Sequence, residues 1–136
     1  MRYAAACHSY RWCNPPTRKS GIFLTDDRSI GASVDRLVGD DGILEVKCPL
    51  APKHLAILLE ADTGDYNLQC QGQMWITGRA WCDLLSFFPE LPPALMRVER
   101  DEKSIEAIAD EVGRFCVRLD AFEKIVRGKI GGQVAA

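Results

Sequence analysis

The chain contains no apolar run long enough to cross a bilayer, since a spanning helix needs roughly 20 such residues in succession. Its opening, Met1-Arg2-Tyr3-Ala4-Ala5-Ala6-Cys7-His8, lacks the sustained apolar segment of a secretory signal. These two absences lead us to expect a cytoplasmic protein with no membrane role. Paired CxxC motifs are also missing among the six cysteines, which in such a setting are expected as free thiols. Cys7, His8 and Cys13 lie close together, but no fourth partner stands nearby to complete a zinc set. Strong charge of either sign is absent as well, with a formal net charge of −2. That excludes a uniformly basic binder but not a nucleic-acid enzyme, which needs only a local basic groove and whose metal-holding carboxylates count against the total. Internal repeats and low-complexity segments are not found.

What remains is an ordinary globular composition, 47% hydrophobic and 26% charged over 136 residues. This suits a single domain with a modest core. We read residues 1–20 as an irregular arm, because Pro15-Pro16 prevents a continuous helix. Residues 21–130 form the core and 131–136 a frayed tail. Strands are predicted over Gly21–Thr25, Ile30–Val38 and Ile43–Cys48, as a small antiparallel meander. A helix over Pro52–Glu60 carries His54, read as a structural residue. A second helix is expected from an Asp65 N-cap to about Ile76, ended by Thr77-Gly78-Arg79. Strands follow over Trp81–Phe88 and Leu95–Val98. From Glu102 to about Arg127, apolar residues recur at steps of three and four through Ile105, Ile108, Val112, Phe115, Leu119, Phe122 and Ile125. This is the clearest helix in the chain and is expected to pack through that face.

The stretch from Ser33 to Pro49 organises the rest. Asp40-Asp41-Gly42 reads as a tight turn, with Gly42 expected to supply a positive φ. Ile43, Leu44 and Val46 provide β-forming bulk. Glu45 and Lys47 are two apart, so a strand projects both from one face. Asp35 lies across the turn, where a paired strand would bring it near them. Two carboxylates and a lysine on one face are costly unless a divalent cation needs them, and Mg²⁺ prefers hard oxygen ligands. The competing reading is a solvated hairpin with an incidental charge pair. Further on, Tyr66, Gln69 and Gln73 follow one helix face. Such a face suits a phosphate backbone or a positioned water, or else plain solvent.

The Asp…Glu-x-Lys pattern resembles that of the PD-(D/E)XK nucleases. The string GILEVKCP is similar to the version in the lambda-exonuclease and YqaJ-like viral recombinase family. GASVD resembles that family's Gly-Ala-Ser-Pro-Asp segment, and DYNLQCQGQMWITGRAWCDLLSFFP its Tyr-x-x-Gln-x-Gln helix and Trp-Cys-Asp strand. The resemblance covers roughly residues 30–90. It implies an α/β (α+β) restriction-endonuclease-like core with a central mixed sheet flanked by helices. It also implies Mg²⁺, which Mn²⁺ can replace, held by Asp35, Glu45 and the Val46 carbonyl. Lys47 and Gln71 would join Asp35 and Glu45 as catalytic residues, and Tyr66, Gln69 and Arg36 would contact substrate. The implied activity is hydrolysis of linear duplex DNA from the 5′ end in a bacterial or phage-infected cell. The implied partners are DNA ends, a single-strand annealing protein and further copies of the chain. Val34 and Arg36 stand where the family commonly has Pro and Gly, and only 34 residues precede Asp35. The chain is therefore read as N-terminally shortened. The alternative is a DNA- or partner-binding remnant of the same fold with impaired catalysis.

Overall fold

A computed structural model describes residues 16–131. The readings of Cys7, His8 and Cys13, and of most of the arm, lie outside the described residues. Two compact units are distinguished, one ending at Asp101 and one beginning at Glu102.

The first unit is built on a mixed five-stranded sheet with the order β1-β4-β5-β6-β7. Its strands are β1 (Thr17–Arg18), β4 (Arg36–Val38), β5 (Gly42–Lys47), β6 (Trp81–Ser86) and β7 (Ala94–Glu99). A separate hairpin joins β2 (Ile22–Leu24) to β3 (Gly31–Ser33). Helices α1 (Ala51–Glu60) and α2 (Tyr66–Thr77) connect β5 to β6, which lie parallel, as a crossover requires. The remaining pairs in the sheet are antiparallel.

The central strand β5 is buried on both faces, which is why Gly42-Ile43-Leu44-Glu45-Val46 reads as a nearly continuous apolar run. Ile43 joins one core cluster with Leu37, Cys70, Met74, Cys82 and Leu84. Leu44 and Val46 join another with Val38 and Leu85 on the opposite face. α2 lies on the Ile43 side, so the side chains of Glu45 and Lys47, which share that parity, point toward it. His54 is buried in α1. Its Nδ1 lies 2.7 Å from the Ser86 hydroxyl and its Nε2 3.0 Å from the Pro92 carbonyl, the structural role expected of it. On the other face the Arg97 guanidinium forks onto Asp83 at 2.8 and 3.0 Å and stacks 3.7 Å from the Trp81 ring centre.

Several expected elements are differently divided. The single strand expected over Ile30–Val38 is broken at Val34-Asp35, and its halves belong to different sheets. The reason is a side-chain substitution. Continuing the β4–β5 register past Arg36↔Leu44 would set position 34 opposite Val46, but the Val46 N–H donates instead to Asp35 Oδ2 at 2.7 Å. The three-stranded meander is thereby replaced by a hairpin and a ladder. Part of the supposed irregular arm, Thr17–Arg18, is the sheet edge. Gly42 does not carry the turn's positive φ; Gly39 does, at 51°. Gly42 is needed for a different reason, since a Cβ there would lie 2.1 Å from the Trp81 ring. Arg79 donates to the carbonyls of Gly39 and Gly42, both at 3.0 Å, and fastens the turn. Asp65 precedes α2 but has helical backbone and makes no side-chain cap. Gly78, at φ 69°, closes that helix as expected.

Cys48, Cys70, Cys82 and Cys116 form no disulfide. Cys70 and Cys82 touch through sulfurs 3.3 Å apart. The hydrogen bond to Cys70, with burial, pushes the Cys82 thiol far above the ordinary range.

The second unit is one helix, α3 (Glu102–Gly131), 30 residues long. Phe115, Leu119 and Phe122 are 54%, 49% and 64% exposed.

Candidate active site

The break between β3 and β4 aims the Asp35 carboxylate across at β5. It is partly buried, and desolvation raises its pKa above the ordinary aspartate value. The Val46 N–H opposes that rise, the neighbouring Glu45 adds to it, and the charges of Lys47 and Arg36 lower it. Glu45 itself is only 6% exposed, yet both its oxygens are bound. Oε1 accepts from Lys47 Nζ at 2.7 Å and from Gln69 Nε2 at 2.8 Å, and Oε2 accepts from Gln73 Nε2 at 2.8 Å. Lys47 Nζ also donates to Gln69 Oε1 at 2.7 Å. A buried carboxylate is tolerated when it is paired and hydrogen-bonded in this way.

Gln69 and Gln73 stand four residues apart on α2, so one helix face delivers both amides to Glu45. Gln73 Nε2 also reaches the Ser33 carbonyl at 3.1 Å, binding α2 to β3. Its Oε1 is buried with no hydrogen-bond partner. That is an unfilled acceptor position beside Glu45, suited to a water molecule. Tyr66 flanks the cluster, with Lys47 Nζ 5.2 Å and Lys53 Nζ 5.7 Å from its ring centre. Lys53 is tied loosely to Asp62 at 3.8 Å.

Of the residues singled out in the sequence, Asp35, Glu45, Val46, Lys47, Gln69 and Tyr66 are brought together. Gln71 is not. Two positions from Gln69 on a helix, it turns away toward β7, donates to the Glu99 carbonyl at 2.8 Å and accepts from the Asp101 N–H at 2.9 Å. Gln73, four residues from Gln69, faces Glu45 instead. Arg36 pairs across the ladder with Leu44 and so projects from the face opposite Glu45. Its charge still reaches Asp35, but its position departs from the expected one. Gln73 and Lys53 were not counted as site residues from sequence. The Tyr66–Gln69–Gln73 spacing carried the signal for Gln73. For Lys53 there was none, because α1 meets α2 only in the tertiary structure.

The donor set suits a hard divalent ion. Lys47 O accepts from Phe87 N on the β6 side at 2.8 Å. Carbonyls alternate along a strand, so the Val46 carbonyl opens on the side of Asp35. Two carboxylates and one carbonyl leave room for waters, as Mg²⁺ prefers. Among the described residues no group of three His, Cys, Asp or Glu side chains converges, so the backbone carbonyl of Val46 would be needed beside the two carboxylates.

The model of the YqaJ-like viral recombinase domain matches residues 6–80, more than half of the chain. No curated protein sequence matches. Among solved structures, the alkaline exonuclease LHK-Exo from Laribacter hongkongensis is 32% identical with a TM-score of 0.86, over 96% of this chain and 71% of that one. The same exonuclease in complex with dAMP gives 31% and 0.87 over the same shares. A phage-related exonuclease from Haemophilus somnus 129PT, 16% identical with a TM-score of 0.70 over 89% of this chain and 69% of its own, shares the fold.

Proposed function

Since the chain belongs to the YqaJ-like viral recombinase domain family, we propose that it is a Mg²⁺-dependent exonuclease that shortens linear duplex DNA from the 5′ end, with Mn²⁺ as a substitute. The alkaline exonuclease that it resembles over nearly its whole length supports phosphodiester hydrolysis as the reaction. That relative's complex with dAMP supports a mononucleotide product.

The observation that carries the proposal is the double clamp on Glu45. Lys47, Gln69 and Gln73 occupy both its oxygens and fix it beside Asp35. Asp35, Glu45 and the Val46 carbonyl would hold the cation, which when bound supplies a more acidic water and neutralises charge on the phosphate. Lys47 has the reach to orient the attacking water and to steady the negative charge that develops at phosphorus. Gln69 and Gln73 keep Glu45 from rotating, and the open Oε1 of Gln73 can accept a hydrogen bond from an ordered water. Tyr66 offers a ring to a sugar or base, with Lys47 and Lys53 on hand for flanking phosphates. In the reaction the water oxygen bonds to the phosphorus that follows the terminal nucleotide as the bond to its 3′ oxygen breaks. The water gives up a proton and the 3′ oxygen takes one up from solvent. The nucleotide therefore leaves with a 3′ hydroxyl and its original 5′ phosphate, while the attacked phosphate remains as the new 5′ end of the strand.

The test is digestion of linear 5′-phosphorylated duplex with Mg²⁺, comparing the wild type with Lys47→Ala beside a circular duplex. Loss of the linear substrate alone, abolished by the substitution, is the expected result. Cutting of the circle would mean an endonuclease on the same scaffold. Binding without any Lys47-dependent cleavage would leave a DNA-binding remnant of the fold.

A further inference from the structure

The side-chain amide of Gln73 has one permitted orientation. Its Nε2 carries two hydrogens, and both are used, one on the Ser33 carbonyl at 3.1 Å and one on Glu45 Oε2 at 2.8 Å. Turning the amide over would set an oxygen against two acceptors, so the network itself says which atom is nitrogen. Oε1 is therefore an acceptor. Gln73 is only 5% exposed, and among the described residues no donor reaches that oxygen. A buried acceptor in this state calls for a donor from outside the chain.

The lone pairs of Glu45 show where such a donor comes from. A carboxylate offers about four acceptor positions, two on each oxygen. Oε1 already takes two donors, Lys47 Nζ and Gln69 Nε2. Oε2 takes one, Gln73 Nε2. The open position is thus on Oε2, the oxygen beside Gln73. The Ser33 carbonyl that Gln73 also binds lies two residues before Asp35, which puts the same amide at the break that carries Asp35. A cation on Oε2 would bring its own waters to the buried amide oxygen. Mg²⁺ dehydrates reluctantly and holds its waters in octahedral positions, whereas the shell of Ca²⁺ is larger and flexible. A single fixed acceptor suits the first ion better than the second.

We propose that Gln73 is a positioning residue for the cation. Its Nε2 turns Oε2 of Glu45 toward the ion, and its Oε1 holds one of the ion's waters, which favours Mg²⁺ over Ca²⁺. This rests on the reading of the site as a Mg²⁺ centre.

Isothermal titration calorimetry of the full chain tests it without DNA, with MgCl₂ and CaCl₂ as separate titrants. Gln73→Met keeps the length of the side chain and removes its amide. It should weaken Mg²⁺ binding by about 10–100-fold, the usual loss for a group that orients a metal ligand. Ca²⁺ binding should weaken several-fold less, so that the preference for Mg²⁺ falls. Gln69→Met, which frees a position only on Oε1, should leave that preference as in the wild type. Metal-free thermal melts establish that each variant folds. Should Gln73→Met not fold, Gln73→Asn takes its place with the same expected fall, because its amide is one methylene too short to serve both Glu45 and the water. Unchanged Mg²⁺ binding in the Gln73 variant, or equal losses for the two ions, overturns the proposal and leaves the nuclease reading standing. An equal fall in preference for Gln69→Met overturns the choice of Oε2. A wild type that binds no Mg²⁺ overturns both the proposal and the reading beneath it.

Discussion

Glu45 is the residue on which the site turns, because its burial is tolerated only while Lys47, Gln69 and Gln73 bind it. Lys47→Ala is expected to lower kcat by ~10²–10³, the loss typical of one preorganised electrostatic group. The Mg²⁺-dependent rise in melting temperature should survive that substitution. Gln71 and Gln73 provide a sharper contrast. Gln73→Ala should cut kcat by at least about tenfold, as for a supporting group around a metal ligand. Gln71→Ala removes the partners of the Glu99 carbonyl and Asp101 N–H and should cost ~1–3 kcal/mol in urea unfolding, with kcat per folded molecule unchanged. Asp35 makes the pH prediction. Burial raises its folded pKa above the ordinary 3.8. Between that value and the raised one, the native state holds a proton that the unfolded chain has released. Native stability therefore falls as pH rises through this window, and a bound cation offsets the fall. In metal-free thermal melts at neutral pH, Asp35→Asn should melt no lower than the wild type while losing its response to Mg²⁺. On acidification, the wild-type response should vanish before the ordinary aspartate range is reached.

At the scale of elements, the break between β3 and β4 and the parity of β5 position the site. The break frees Asp35 to take the Val46 N–H, and the parity sends Glu45 and Lys47 toward α2. Strand β5 was legible because β-branched bulk and alternation are local properties. The break was not, because it depends on a side chain of one element replacing a backbone partner in another. Gly42 shows the same division. A turn glycine is a sound local reading, but the ring of Trp81 decides its actual role. Gly42→Ala should therefore destabilise by ~1–3 kcal/mol through overpacking, read by chemical unfolding. Trp81→Ala in the same background should reduce the additional cost of the alanine, since it opens the space that the new Cβ needs. α2 was located closely, and its glutamine periodicity was visible. Which glutamines face Glu45 was fixed by the helix's rotation about its own axis, and that is set by Cys70 and Met74 packing into the core.

For the whole molecule, a cation that binds only the native state must raise the unfolding midpoint by mass action. At a concentration a hundred times Kd the gain is about 2.7 kcal/mol. Mg²⁺ titration followed by thermal melting should show this gain, and Asp35→Ala should abolish it. Among the described residues no helix is long and apolar enough to cross a membrane, which agrees with the absence of long apolar runs. The sequence by itself determined the mixed α/β class, the positions of the main helices and later strands, and the Asp35, Glu45 and Lys47 set. Each of these follows from local spacing, propensity and a motif that stays within one hairpin's reach. Only the tertiary structure decided that Gln73 rather than Gln71 holds Glu45, that Lys53 joins Tyr66, and that Arg36 projects from the far face. Those outcomes depend on how elements distant in the chain are rotated and paired by the packing of their buried sides, which no local pattern encodes.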